Sequence, residues 1–157
     1  MIARSSRLLI LSAVLTSTSG LACAADTAPP KLDALSAARA QIADKKWDAA
    51  IAELKRVNDS GSADWNNLMG YSLRKGAAPD YAGAEKFYAE ALRIDPKHRG
   101  ALEYSGELSL LTGNLPKAEQ RLAALDKACF FPCEEYTDLK KAVERYRANG
   151  NKYLAAP

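Results

Sequence analysis

The apolar positions of this chain fall on a helical beat, and the beat repeats. Tyr81, Ala84, Tyr88 and Ala91 stand at offsets 0, 3, 7 and 10, which puts them on one stripe of a helix with 3.6 residues per turn and excludes the alternation of a strand. The same offsets recur at Trp47, Ala50, Leu54 and Val57, and again at Leu115, Ala118, Leu122 and Leu125. Successive sets lie 34 residues apart. Four positions keeping register through three copies mark an internal repeat, with one amphipathic helix in each copy.

A second helix precedes each of these. In the third copy Ala101 to Leu111 is helical in pattern, Gly113-Asn114 marks a turn, and Pro116 fits the first turn of the next helix, where its missing N–H has no partner to lose. In the second copy Ser62 or Asp64 can cap a helix running to about Lys75. Gly76 to Pro79 connect it to a helix capped by Asp80 and closed at Asp95-Pro96. In the first copy Leu32 to Ala43 pairs with Trp47 to Val57, and Asn58 to Ala63 is the break. Small residues stand where paired helices must approach: Ala38, Gly70 and Gly106 on the first helices, Ala50, Ala84 and Ala118 on the second. A stack of such pairs needs a closing element, because each pair buries its apolar face only against a neighbour. Residues 134 to 148 supply it. Tyr136, Leu139, Val143 and Tyr146 form the stripe, Glu134, Lys140, Lys141, Glu144, Arg145 and Arg147 face the other way, and Asn149-Gly150 ends the helix.

The first 24 residues have a different pattern. Arg4 and Arg7 precede an apolar run from Leu8 to Leu15, then small and polar residues, then Ala22-Cys23-Ala24-Ala25. This is the layout of a cleavable export signal, with cleavage expected after Ala24 or Ala25. The run is less than half of the roughly 20 residues needed to span a bilayer, so no transmembrane span is expected. An alternative is lipidation at Cys23, against which Gly20 stands where such signals usually carry Leu.

Charge removes two function classes. The chain of 157 residues has 22 Lys+Arg against 19 Asp+Glu, a net charge of +3; without Arg4 and Arg7 the balance is 20 against 19. No basic patch of the kind that binds nucleic acid or a membrane surface follows from such numbers. Catalytic signatures are equally thin: the single His, His98, follows Asp-Pro-Lys in a turn, the glycines are scattered, and Glu103 with Glu107 sits at helical spacing on what reads as a solvated face. The chain is therefore read as non-catalytic and without a cofactor. Cys129-Phe130-Phe131-Pro132-Cys133 is the one group with possible chemistry. In an exported chain two such thiols read first as a disulfide, and otherwise as a redox pair or a Cu(I) site, although no Met or His lies nearby in sequence.

The runs Gly70 to Pro96 and Gly106 to Pro132, with their small-residue, aromatic, Ala, Tyr, Ala-Leu and Asp-Pro landmarks, resemble the tetratricopeptide repeat, whose period is about 34 residues. The likeness covers roughly 32 to 130. It departs from the pattern at Ala77-Ala78-Pro79, where the connection is two residues longer, and in the first copy, where Ala38 replaces the glycine. The segments around His98 to Tyr104 and Cys133 to Leu139 are similar to those of small exported bacterial repeat proteins. The resemblance implies an all-α, right-handed α-solenoid of about three helix pairs with a C-terminal capping helix. With the N-terminal signal, the chain is expected to divide into 1–24 (signal), 25–31 (flexible), 32–130 (array), 131–150 (Cys-linked cap) and 151–157 (disordered tail), periplasmic or secreted, or anchored through Cys23.

The resemblance also implies a concave groove, lined by the first helix of each pair, that holds a protein or peptide partner. Aligning Ala38, Gly70 and Gly106 places Leu35/Arg39/Ile42, Asn67/Tyr71/Arg74 and Glu103/Glu107/Leu110 on it. The expected partner-binding residues are Arg39, Asn67, Tyr71, Arg74, Glu103 and Glu107. Asn67, Tyr71 and Arg74 share one helix face, with Arg74 expected to be exposed and free to take a carboxylate. The function expected is a scaffold or adaptor in the bacterial cell envelope, with thiol redox or Cu(I) handling through Cys129 and Cys133 as the alternative. Oligomeric state is left open.

Overall fold

A computed structural model describes residues 33–131 and 133–153. The expected export signal, its expected cleavage site, Cys23 and the segment 25–31 expected to be flexible lie outside the described residues, as do residues 132 and 154–157.

Every described element is a helix: α1 Ser36–Ala43, α2 Trp47–Val57, α3 Ala63–Lys75, α4 Tyr81–Ile94, α5 Arg99–Leu111, α6 Leu115–Ala128 and α7 Glu134–Ala148. The repeat beat explains α2, α4 and α6, each starting on the residue that opens its stripe. Side chains set the starts. Ser62 Oγ accepts from Trp65 N, Asp80 Oδ1 from Gly83 N and Asn114 Oδ1 from Lys117 N, satisfying N–H groups that have no partner within the helix. Asp64, the other candidate cap, lies inside the first turn of α3. Two starts differ from expectation. α5 begins at Arg99 because His98 Nδ1 accepts from Ala101 N at 3.1 Å, so the imidazole acts as a cap. α1 begins at Ser36, since Asp33 first closes a turn by accepting from Leu35 N and Ser36 N.

Consecutive helices pair as α1·α2, α3·α4 and α5·α6; each second helix packs on the next first helix, and α1, α3, α5 and α7 stand side by side. This is a helical solenoid of the tetratricopeptide kind closed by α7. The small residues make the close approach possible: Ala38, Ala50, Ala84 and Ala118 are fully buried. A Cβ on Gly70 would stand 2.8 Å from the Tyr88 ring and 3.1 Å from the Ala84 carbonyl oxygen. Trp65 ties α3 back to α2 by donating its indole N–H to Leu54 O at 2.7 Å. At the other end Leu102, Leu110, Leu125, Leu139, Val143 and Tyr146 form the core that seats α7. Gly113 and Gly150 end α5 and α7 with φ of 78° and 65°, a region that favours glycine. Beyond α7, Asn149 Nδ2 donates to Lys152 O and Tyr153 packs against that core. The tail read as disordered from 151 is thus held as far as Tyr153, because the ring finds apolar cover.

Candidate functional site

The row of first helices brings most of the expected site residues together, but in an arrangement the repeat pattern does not disclose. Arg74 comes from the last turn of α3, and the expectation that it is exposed is wrong: it is 5% exposed. Its Nη2 pairs with Glu107 Oε2 of α5 at 2.8 Å, and its guanidinium carbon lies 5.5 Å from the centroids of both Tyr71 and Tyr104. Tyr71 and Tyr104 have ring centroids 4.5 Å apart at a tilt of 42°, and Trp47 meets Tyr71 edge-on at 5.9 Å. The guanidinium is enclosed because α3 and α5 stand in contact, so a residue seven positions after Asn67 points across to the neighbouring helix as well as outward. Burial works against its charge, but the nearby Tyr88 and Glu107 reverse that and hold its pKa above the usual value. Tyr88, fully buried on α4, has its hydroxyl beside Arg74 without a well-aligned partner, and burial pushes its pKa up.

Glu103 is also not the solvated carboxylate expected of it. It is 9% exposed. Burial first, then the carboxylates of Glu107, Asp138 and Glu135, push its pKa up to about 8, with Arg74 opposing.

Arg39 and Asn67 lie at the other end of the row, around a second cluster. Arg39 Nη2 donates to Asp64 Oδ2 at 3.0 Å, and Asp64 Oδ1 lies 2.9 Å from His98 Nε2. Asp64 therefore links the first copy to the third. Burial raises its pKa, but the hydrogen bonds from His98 and Arg39 outweigh burial and leave it lowered. Asn67, 7% exposed, packs its Nδ2 against Gly100, and its Oδ1 is buried without a partner. With Gly100 and Glu135 these residues line a polar depression of about 470 Å³. The sequence reading missed Tyr104, Trp47 and the Asp64–His98 bridge. Tyr104 was within reach, since it directly follows Glu103 on the helix already assigned to the row.

Cys129 and Cys133 are joined as a disulfide, with Cα atoms 5.9 Å apart. Among the described residues no group of three or more His, Cys, Asp or Glu could hold a metal ion. Both sulfurs being engaged, this argues against Cu(I) handling. Also among the described residues, no helix is long and apolar enough to cross a membrane.

Residues 77–144 match the family model of the tetratricopeptide repeat. A tetratricopeptide-type repeat region therefore runs from the start of the α3–α4 connection into α7; α1 to α3 continue the same pairing of helices outside the matched residues. No curated protein matches the chain. The repeat is a scaffold for protein interaction, not a catalytic fold, and the non-catalytic reading of the chain rests on that match.

Proposed function

We propose that this chain is an exported, non-catalytic adaptor of the bacterial cell envelope that binds a protein or peptide partner on the face formed by α1, α3 and α5. The observation that carries the reading is the half-buried aromatic row Trp47, Tyr71 and Tyr104, set between Arg39 and Asn67 at one end and the Arg74–Glu107 pair at the other. Half-buried aromatics beside fixed polar groups are the usual anchors of an interface. The repeat match supports the same role.

The test is capture from a native envelope extract with the mature chain as bait. Arg39→Glu combined with Tyr71→Ala should release the captured partner while the helix content is kept. Retention in that variant, with loss only on changing Glu134 and Lys141 of α7, would move the docking surface off this face. Export has its own check: intact mass should show a native chain starting at Ala25 or Asp26 without lipid, whereas diacylglyceryl-Cys23 would make the protein membrane-anchored.

A further inference from the structure

The interaction reading leaves open what chemistry the partner brings, and the charges on the row of first helices decide it. Arg74, the residue suited to a carboxylate, is spent on Glu107. On α7, Glu135 has Arg99 at 3.5 Å and Asp138 has Lys141 at 3.6 Å. Glu103 alone in this group is paired with no cation or hydrogen-bond donor among the described residues, although it is nine-tenths buried. The ionisable groups close enough to act on its charge are Tyr71 and Arg74 from α3, Tyr104 and Glu107 from its own helix, and Glu135 and Asp138 from α7. Three of those six are carboxylates. Glu107, Glu135 and Asp138 already have cations, so the one unclaimed carboxyl here is that of Glu103, next in sequence to Tyr104; a cation can pair with it, helped by the tyrosine ring faces, whereas an anion finds no free cation among these groups.

On the premise that this face binds a protein segment, we infer that it takes a Lys or Arg side chain of that segment, with Glu103 as the counter-ion. In the unoccupied face Glu103 carries a proton at neutral pH, since burial and the neighbouring carboxylates raise its pKa to about 8. When the cationic side chain docks, the carboxyl O–H breaks, the proton passes to solvent, and the carboxylate pairs with the ligand cation. Binding thus releases a proton and strengthens as pH rises towards 8.

The experiment is titration calorimetry on the mature chain at pH 7 in phosphate and in Tris, whose different protonation heats report proton release. The probes are tetralysine and tetraglutamate peptides blocked at both ends, and spermidine. Tetralysine should bind with release of about 0.9 proton, and Glu103→Gln should weaken it about tenfold and abolish the release. Tetraglutamate should not bind, and spermidine should bind more weakly than the peptide. Tetralysine binding without proton release overturns the inference whether or not the variant folds. So does unchanged affinity in Glu103→Gln, or spermidine binding as tightly as the peptide. The captured native partner separates this failure from that of the adaptor reading. A partner lost with Arg39→Glu/Tyr71→Ala but kept by Glu103→Gln leaves the adaptor standing and removes the cation site. A partner kept by both variants removes the docking face itself.

Discussion

The α3–α5 contact and the Cys129–Cys133 loop place their side chains in opposite ways. Between α3 and α5 the Arg74 guanidinium and the Glu103 carboxyl are buried, with the part-exposed Glu107 and tyrosines around them. In the loop two phenyl rings stand in water, Phe130 94% exposed and Phe131 76% exposed, packed only edge-on against each other at 5.2 Å. Hydropathy would assign both regions wrongly. In the first, contact between neighbouring helices takes the Arg74 guanidinium almost wholly out of solvent, and pairing with the part-exposed Glu107 offsets the loss of hydration. In the second, the bond clamps a short stretch between the ends of α6 and α7, too short to fold its rings back onto the core. Helix pairing decides where side chains go, and composition follows.

The sharpest way to break the comparison is to unpair the buried charge. Arg74→Ala removes the cation of Glu107 and the guanidinium packed between Tyr71 and Tyr104; because Glu107 keeps 22% exposure and can hydrate, the loss should be about 2–3 kcal/mol, short of that for a fully buried pair. Denaturant unfolding should show it as a lower midpoint. Replacing both partners, Arg74→Met with Glu107→Leu, should recover most of that stability, because no unpaired charge remains. A double variant as unstable as the single one would mean that Arg74 acts through packing alone.

Gly70→Ala comes next, at about 1–3 kcal/mol by overpacking. The new methyl meets the fully buried Tyr88 ring and a backbone oxygen, neither of which can move aside. Gly106→Ala meets the side-chain methyls of Leu139 at 2.6 and 2.8 Å instead. These can turn, so the loss of thermal midpoint should be smaller and accompanied by loosening of α7 in hydrogen exchange.

Glu103 gives the same contact a pH signature. Its folded pKa is raised to about 8, above the usual carboxylate value, so the folded chain holds more protons than the unfolded one between about pH 4.5 and 8. Stability from this residue therefore rises as pH falls through that window, no faster than about 1.4 kcal/mol per unit, the limit for one proton. Asp64 works the other way: its lowered pKa adds stability above pH 3.8 that is lost as pH falls below it. Unfolding measured at pH 8 and pH 5 should show a smaller gain on acidification in Glu103→Gln than in the parent chain.

These contrasts also mark what the sequence could disclose. Helices α2, α3, α4, α6 and α7 were legible almost to the residue, because repeat register, caps and a stripe all pointed to the same boundaries. The glycine and alanine positions were legible for the same reason. The state of the site residues was not. Whether Arg74 is free or buried depends on how far α3 stands from α5, and the 34-residue beat carries no information about that distance. His98 does lie in the turn before α5, as a lone His after Asp-Pro reads, but nothing local shows that its two ring nitrogens meet Ala101 N and Asp64.

The loop should give the smallest effects. Closing a ring over four residues of separation removes little freedom from the unfolded chain, so Cys129→Ser with Cys133→Ser should cost at most about 2 kcal/mol. Phe130→Ser with Phe131→Ser should change the unfolding free energy by less than about 0.5 kcal/mol, since the rings are already hydrated in the folded state and folding gains nothing by their presence. A measured loss above 1 kcal/mol would mean that the rings are covered in solution, and a midpoint that then depended on protein concentration would identify the cover as a second copy of the chain. With the midpoint unchanged, the loop and the α3–α5 contact stand as the two extremes of the molecule, one indifferent to its side chains and the other set by them.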